Sequence, residues 1–153
     1  MFLYTKELAE QLTKAIEAVE VKALESETSK MIISEEKADR DGETIILAGG
    51  DFKNYKKNPV VLIDHSYKVD HIVGKTISLT LEGKQLIAEW QWADTEDAQT
   101  AKQLYDGGFL KTSSIGFIPL QRDESDRSII IKWELLEWSL VAVPCNPNAL
   151  SLD

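Results

Sequence analysis

The chain has 153 residues, a length that suits one compact domain able to bury a core without staples. With 43% hydrophobic and 28% charged residues it reads as soluble and globular and unlike a disordered chain. A formal net charge of −9 argues against sequence-independent nucleic-acid binding and against an anionic membrane as partner, since both need a basic surface. Cys145 is the single cysteine, so no internal disulfide forms and stability does not call for an oxidising compartment. No apolar run approaches the roughly eighteen residues of a membrane span. The start, Met1 to Lys6, turns polar too soon for a signal peptide, so the protein is expected to act where it is made.

In chain order, Leu8, Leu12 and Ile16, with Ala15 and Val19 beside them, predict an amphipathic helix of about four turns. It can pack on the domain or serve as an arm for a partner subunit, and residues 1–22 are assigned to it, with a single domain over 23–153. Met31-Ile32-Ile33 reads as a short strand and Asp39 to Glu43 as a turn carrying Asp-Gly. Asn58-Pro59 opens the strand Val60-Val61-Leu62-Ile63, expected to be buried on both faces, with Asp64-His65 at its end. Alternation over Ile77, Leu79 and Leu81, the turn Glu82-Gly83-Lys84, and alternation again over Leu86, Ala88, Trp90 and Trp92 predict a hairpin from Ile72 to Trp92. A helix follows over Thr95 to Asp106, capped by Asp94 or Thr95 and ended by Gly107-Gly108. Thr112 to Leu120 reads as a strand, and the apolar run Ile129 to Val143 as one strand or two. The predicted fold class is strand-dominated α+β: a β-barrel or strongly curved antiparallel sheet with two or three surrounding helices.

Three places carry candidate chemistry. His65 and His71 are the only histidines, and each follows an aspartate. They serve as a zinc site with Asp64 and Asp70, or as one catalytic base with a bystander, or as ordinary loop histidines; periodicity leaves all three open. In Thr112-Ser113-Ser114-Ile115-Gly116-Phe117, strand alternation puts Ser113 with the core-seeking Ile115 and Phe117, and Ser114 with Thr112 and Gly116. Gly116 leaves open space where a substrate backbone can lie, which makes Ser114 the better nucleophile; the plain alternative is two ordinary strand serines. Glu137 stands among large apolar residues and must find a partner, either a histidine that becomes positive or a lysine or backbone donor pair. Glu134 is a weaker candidate at the more polar start of that run. Cys145, in the turn-like Pro144-Cys145-Asn146-Pro147, reads as a bystander thiol. A base, a nucleophile and an acid together are what activating a weak hydroxyl requires.

Asp39-Arg40-Asp41-Gly42-Glu43, Asn58 to His65 and Val73-Gly74-Lys75 resemble the first half of phage prohead (capsid-maturation) proteases. Gly107 to Lys111, Ser113-Ser114-Ile115-Gly116-Phe117, Leu136 to Val141 and Pro144 to Ala149 resemble the second half. Order and spacing match over roughly residues 30 to 150. The resemblance implies a serine endopeptidase with His65, Ser114 and Glu137 in the catalytic roles, no cofactor and no metal, since His71 falls where the motif needs no histidine. It implies a fold similar to herpesvirus assembly proteases, with pairing of copies suggested by analogy alone. The implied substrate and partner is the major capsid protein precursor with its scaffolding region, and the protease itself. The implied place of action is the host cytoplasm and the interior of the immature capsid, or a bacterial cytoplasm for a prophage-encoded copy. The alternatives are an inactive capsid-assembly module of the same fold and, behind it, a metal-dependent hydrolase using His65, His71, Asp64 and Asp70. Oxyanion donors are left open between backbone N–H groups near Gly116 and Arg122. Cys145 stands where the family more often has a small residue, and Asp153 follows soon after the closing motif where members often carry a longer tail.

Overall fold

The computed structural model describes residues 5–26 and 28–153; residues 1–4, read above as the start of the arm, lie outside the described residues. In chain order the elements are α1 (Lys6–Ser26), β1 (Thr28–Glu35), β2 (Thr44–Ile45), β3 (Gly50–Asp51), β4 (Val60–Ile63), β5 (Ile72–Glu82), β6 (Gln85–Trp92), α2 (Glu96–Asp106), β7 (Thr112–Arg122) and β8 (Ile129–Val141). The fold is strand-dominated α+β, with the eight strands in one curled sheet. The sheet is mixed rather than purely antiparallel. The run expected as one strand or two is a single strand, β8, and it organises the rest. Strand β7 runs antiparallel along one edge of β8, while β2, β3 and β4 lie parallel to it, one after another, along the other edge. From β4 the sheet continues through β5 and β6 to β1.

Residues 149–152 draw the two ends of this path together. Ile32 donates to the Leu150 carbonyl and Leu152 to that of Lys30, while Ser113 donates to the Ala149 carbonyl and Ser151 to that of Lys111. The strip therefore bonds to β1 on one side and to the start of β7 on the other. The Ser113 hydroxyl adds a bond to the Ile32 carbonyl at 3.1 Å, which gives this buried serine a structural task.

The alternation in β6 holds as predicted, with Leu86, Ala88, Trp90 and Trp92 all buried. In β5 it does not. A register shift between Thr76 and Ser78 changes the phase of the strand, and Ile77 and Leu81 face solvent. Helix α2 is capped by Thr95, whose hydroxyl accepts from the Ala98 amide at 3.2 Å. It packs Ala98, Ala101 and Tyr105 on the sheet, where the Tyr105 ring lies 5.5 Å from those of Trp90 and Trp92. The first helix, α1, is longer than predicted, and its stripe of Leu8, Leu12, Ile16 and Val19 is exposed.

A small polar network is sealed in the core. The Trp138 indole donates to the Thr76 hydroxyl at 2.8 Å, Thr76 and the Tyr55 hydroxyl lie 2.6 Å apart, and Tyr55 donates to the Val60 carbonyl at 3.0 Å. It ties β8 to β5 and to the turn before β4. Thr76→Val keeps the shape but leaves the Trp138 N–H without an acceptor. We expect a loss of about 1–3 kcal/mol, read as a lower urea midpoint at unchanged slope.

Candidate active site

The site is set up by one irregularity in the β7–β8 ladder. Gly116 pairs with Glu137, but Phe117 pairs with Leu135, so Leu136 is the extra residue of a bulge. Core side chains of β8 are Trp133 and Leu135 before the bulge, and Trp138 and Leu140 after it. The slip therefore turns Glu137 and Ser139 to the opposite face of the sheet. There they share rows with β7, Ser139 opposite Ser114 and Glu137 opposite Gly116.

Gly116 is needed for a reason different from the one its spacing suggested. The space above it is not open for a substrate backbone; a Cβ there would lie 2.3 Å from Glu137 Oε1. The glycine makes room for the carboxylate. Glu137 is 2% exposed, and both its oxygens are engaged. Oε1 lies 2.5 Å from His65 Nδ1, and Oε2 accepts from the Ser139 hydroxyl at 2.7 Å. The partner for the buried carboxylate is thus an imidazole and a hydroxyl rather than a lysine or a backbone donor pair.

Histidine 65 reaches Glu137 from the end of β4 through a tight turn. The Ser66 amide donates to the Ile63 carbonyl, and both central residues have positive φ, 53° at Asp64 and 54° at His65. Such backbone costs about 1–3 kcal/mol per non-glycine residue and persists only where the surroundings impose it. Here Asp64 N–H donates to the Leu140 carbonyl at 3.0 Å, and His65 N–H donates to Ser139 Oγ at 3.0 Å. Ser139 so fixes both the backbone of His65 and the carboxylate that holds its ring. The Glu137 hydrogen bond holds the His65 pKa above the ordinary 6.5, outweighing partial burial, and the charges of Glu137 and Asp64 act in the same direction.

Ser114 is 9% exposed, and its hydroxyl has no hydrogen-bond partner among the described residues. It lines a cleft together with His65. The structure thus brings all three predicted site residues to one place: His65 in contact with Glu137, and Ser114 on the cleft that His65 also lines. Sequence reasoning missed Ser139, although a serine two residues from a buried glutamate on one strand shares its face and is a natural partner.

The other candidates separate. His71 Nδ1 lies 2.7 Å from Ser66 Oγ, and its ring approaches Asp70 and Asp97 rather than His65. The four-residue zinc reading with His65, His71, Asp64 and Asp70 therefore has no geometric basis among the described residues. Glu134 accepts from the Asn54 side chain near the surface. Arg122 is committed to Glu43 at 2.7 Å and to the Arg127 carbonyl at 2.9 Å, which removes it from consideration as an oxyanion donor. Burial pushes the Cys145 thiol up to about 11, and hydrogen bonding to Asp41 and Asp39 adds to this, so it is a poor nucleophile.

With this geometry in place, comparison with known proteins is decisive. The chain matches the caudovirus prohead serine protease family over residues 15–152. It belongs to that family. It is also 37% identical over 99 residues to the prohead protease of Escherichia phage T5, an alignment covering 63% of this chain and 46% of that protein. The chain thus spans about half the length of the curated relative it matches. No solved structure matches it.

Two substitutions test the electrostatics. Glu137→Gln and Gly116→Ala, the latter by crowding the carboxylate, are both expected to lower the His65 pKa toward 6.5. Titration of the imidazole by NMR reads this directly.

Proposed function

We propose that this chain is a serine endopeptidase in which Ser114 is the nucleophile, His65 the general base and Glu137 the group that orients the imidazole. The observation that carries the reading is the 2.5 Å contact between His65 Nδ1 and Glu137, made beside a cleft lined by a hydroxyl with no other partner. With Nδ1 occupied, Nε2 is the nitrogen left to take a proton.

In the proposed reaction Ser114 Oγ attacks the peptide carbonyl and passes its proton to His65. The imidazolium then protonates the departing amine, leaving an acyl-enzyme. Water gives a proton to His65 and attacks the ester; the C–O bond to Ser114 breaks, His65 returns the proton to Ser114 Oγ, and the acid is released. Glu137 stabilises the imidazolium at each protonated stage. The fold supports an extended substrate. Strand β7 is bonded to β8 on one edge, but beyond Ser113 its other edge has no backbone partner among the described residues. A peptide added along that edge passes Ser114. Family membership supports the capsid precursor with its scaffolding region as substrate, cut inside the immature capsid, and the chain itself as a second substrate.

Ser114→Ala is expected to lose cleavage of the capsid precursor by about a thousandfold or more, and to lose labelling by a fluorophosphonate, with the fold unchanged. An alanine variant that cleaves as well as the parent, or a parent whose Ser114 resists the probe, refutes the assignment. The pH profile gives an independent check. A base must be neutral to act, so a raised His65 pKa places the acidic limb of kcat/KM above pH 6.5, and Glu137→Gln moves that limb to lower pH while reducing the plateau.

A further inference from the structure

The cleft that His65 and Ser114 line is also lined by the end of β1 and the turn after it. That part of the wall is acidic. Glu35, Asp39, Asp41 and Glu43 line it, with Lys37 as the one cation. Glu43 is balanced by Arg122. The other three carboxylates have no ion-pair partner among the described residues. Glu35 is met only by the side-chain amides of Gln85 and Asn148, Asp39 by the amides of Asp41 and Glu43, and Asp41 by the Cys145 thiol. The nearby Arg40 donates to the Pro144 carbonyl and forms no ion pair with these carboxylates among the described residues. Negative charge gathered on the wall of a concave site is focused into it.

A second observation points to a ligand. Ser34, at the register shift in β1, is 2% exposed, lines the same cleft, and its hydroxyl has no hydrogen-bond partner among the described residues. Its oxygen is not sealed off, in contrast to the unpartnered Trp90 Nε1, so within this cleft wall it stands open to a group arriving there. Ser29, Ser113 and Ser139, the other serines buried in the sheet apart from Ser114, all have partners.

We propose that this wall is a specificity subsite for a lysine or arginine side chain of the substrate, close in sequence to the bond that is cut. The cation is held by Glu35 and Asp41, and Ser34 accepts a hydrogen bond from it or gives one to the adjoining peptide. The inference rests on the peptidase reading above, and it adds a substrate class: basic segments, selected by an acidic cleft in a chain of net charge −9.

The test is digestion of a proteome-derived peptide library by the full chain, with cleavage sites mapped by mass spectrometry and Ser114 labelling by a neutral fluorophosphonate measured in parallel. The expected result is enrichment of Lys and Arg, and depletion of Asp and Glu, within three positions of the cut. The double variant Glu35→Gln/Asp41→Asn is expected to lose about tenfold in kcat/KM on a lysine peptide, and high salt to narrow the preference. Labelling of Ser114 in that variant stays within about twofold of the parent, which separates a lost subsite from a lost fold. A labelled enzyme that cuts without regard to basic residues, or cuts none of these peptides, overturns this inference and leaves the peptidase reading standing. A variant that keeps the full preference removes the role of these two carboxylates. A parent that is neither labelled nor cuts any peptide overturns both readings.

Discussion

A carboxylate taken out of water in the middle of a sheet must be satisfied where it stands, and much of this fold answers to that demand at Glu137. Its two oxygens divide the work between His65 and Ser139, and neither partner reaches it by chance. The bulge at Leu136 turns it out of the aromatic core, and the missing side chain of Gly116 clears the volume it occupies. The turn after β4 accepts two consecutive left-handed residues to deliver the imidazole. Left without these partners, a buried charge costs several kcal/mol; met by them, it becomes a rigid support for the His65 ring.

The long strand β8 makes this geometry possible. Because β4 and β7 flank its C-terminal half, the histidine from one neighbour and the serine from the other reach the same region without any long loop. Most of the positioning is done by ladder hydrogen bonds rather than by mobile connections, and the one strained segment is pinned to β8 by two backbone donors. Rigid placement of this kind reduces the reorganisation that a reaction has to wait for.

Much of this was legible in the residues. The strand ending at His65, the hairpin of β5 and β6, the Thr95 cap and the separate fates of Ser113 and Ser114 all follow from period-two alternation and cap chemistry. What could not be read were the places where alternation slips. In Trp133-Glu134-Leu135-Leu136-Glu137-Trp138 the leucine doublet breaks the alternation, but paired apolar residues also fit a strand buried on both faces, so the doublet alone did not reveal that the core face changes phase there. The same blindness hid the exposure of Ile77 and Leu81 after the shift in β5. Strands β2 and β3 are two residues each, too short for any period to show. Gly116 was correctly tied to the site but for a different reason, since the pattern showed that space was needed and not what would fill it.

The strip at residues 149–152 has a consequence for how the molecule is made. Its bond from Ile32 to Leu150 joins positions 118 apart (150 − 32), among the most distant pairings in the chain. A nascent chain emerging from the ribosome can assemble the β5–β6 hairpin and the α2 helix early, but the seam between β1 and β7 has to wait until residues 149–152 have emerged. Ser114 sits immediately beyond that seam. The wall of the cleft that carries Ser114 thus depends on a pairing between distant parts of the chain, and it takes shape after the local hairpin and helix rather than with them.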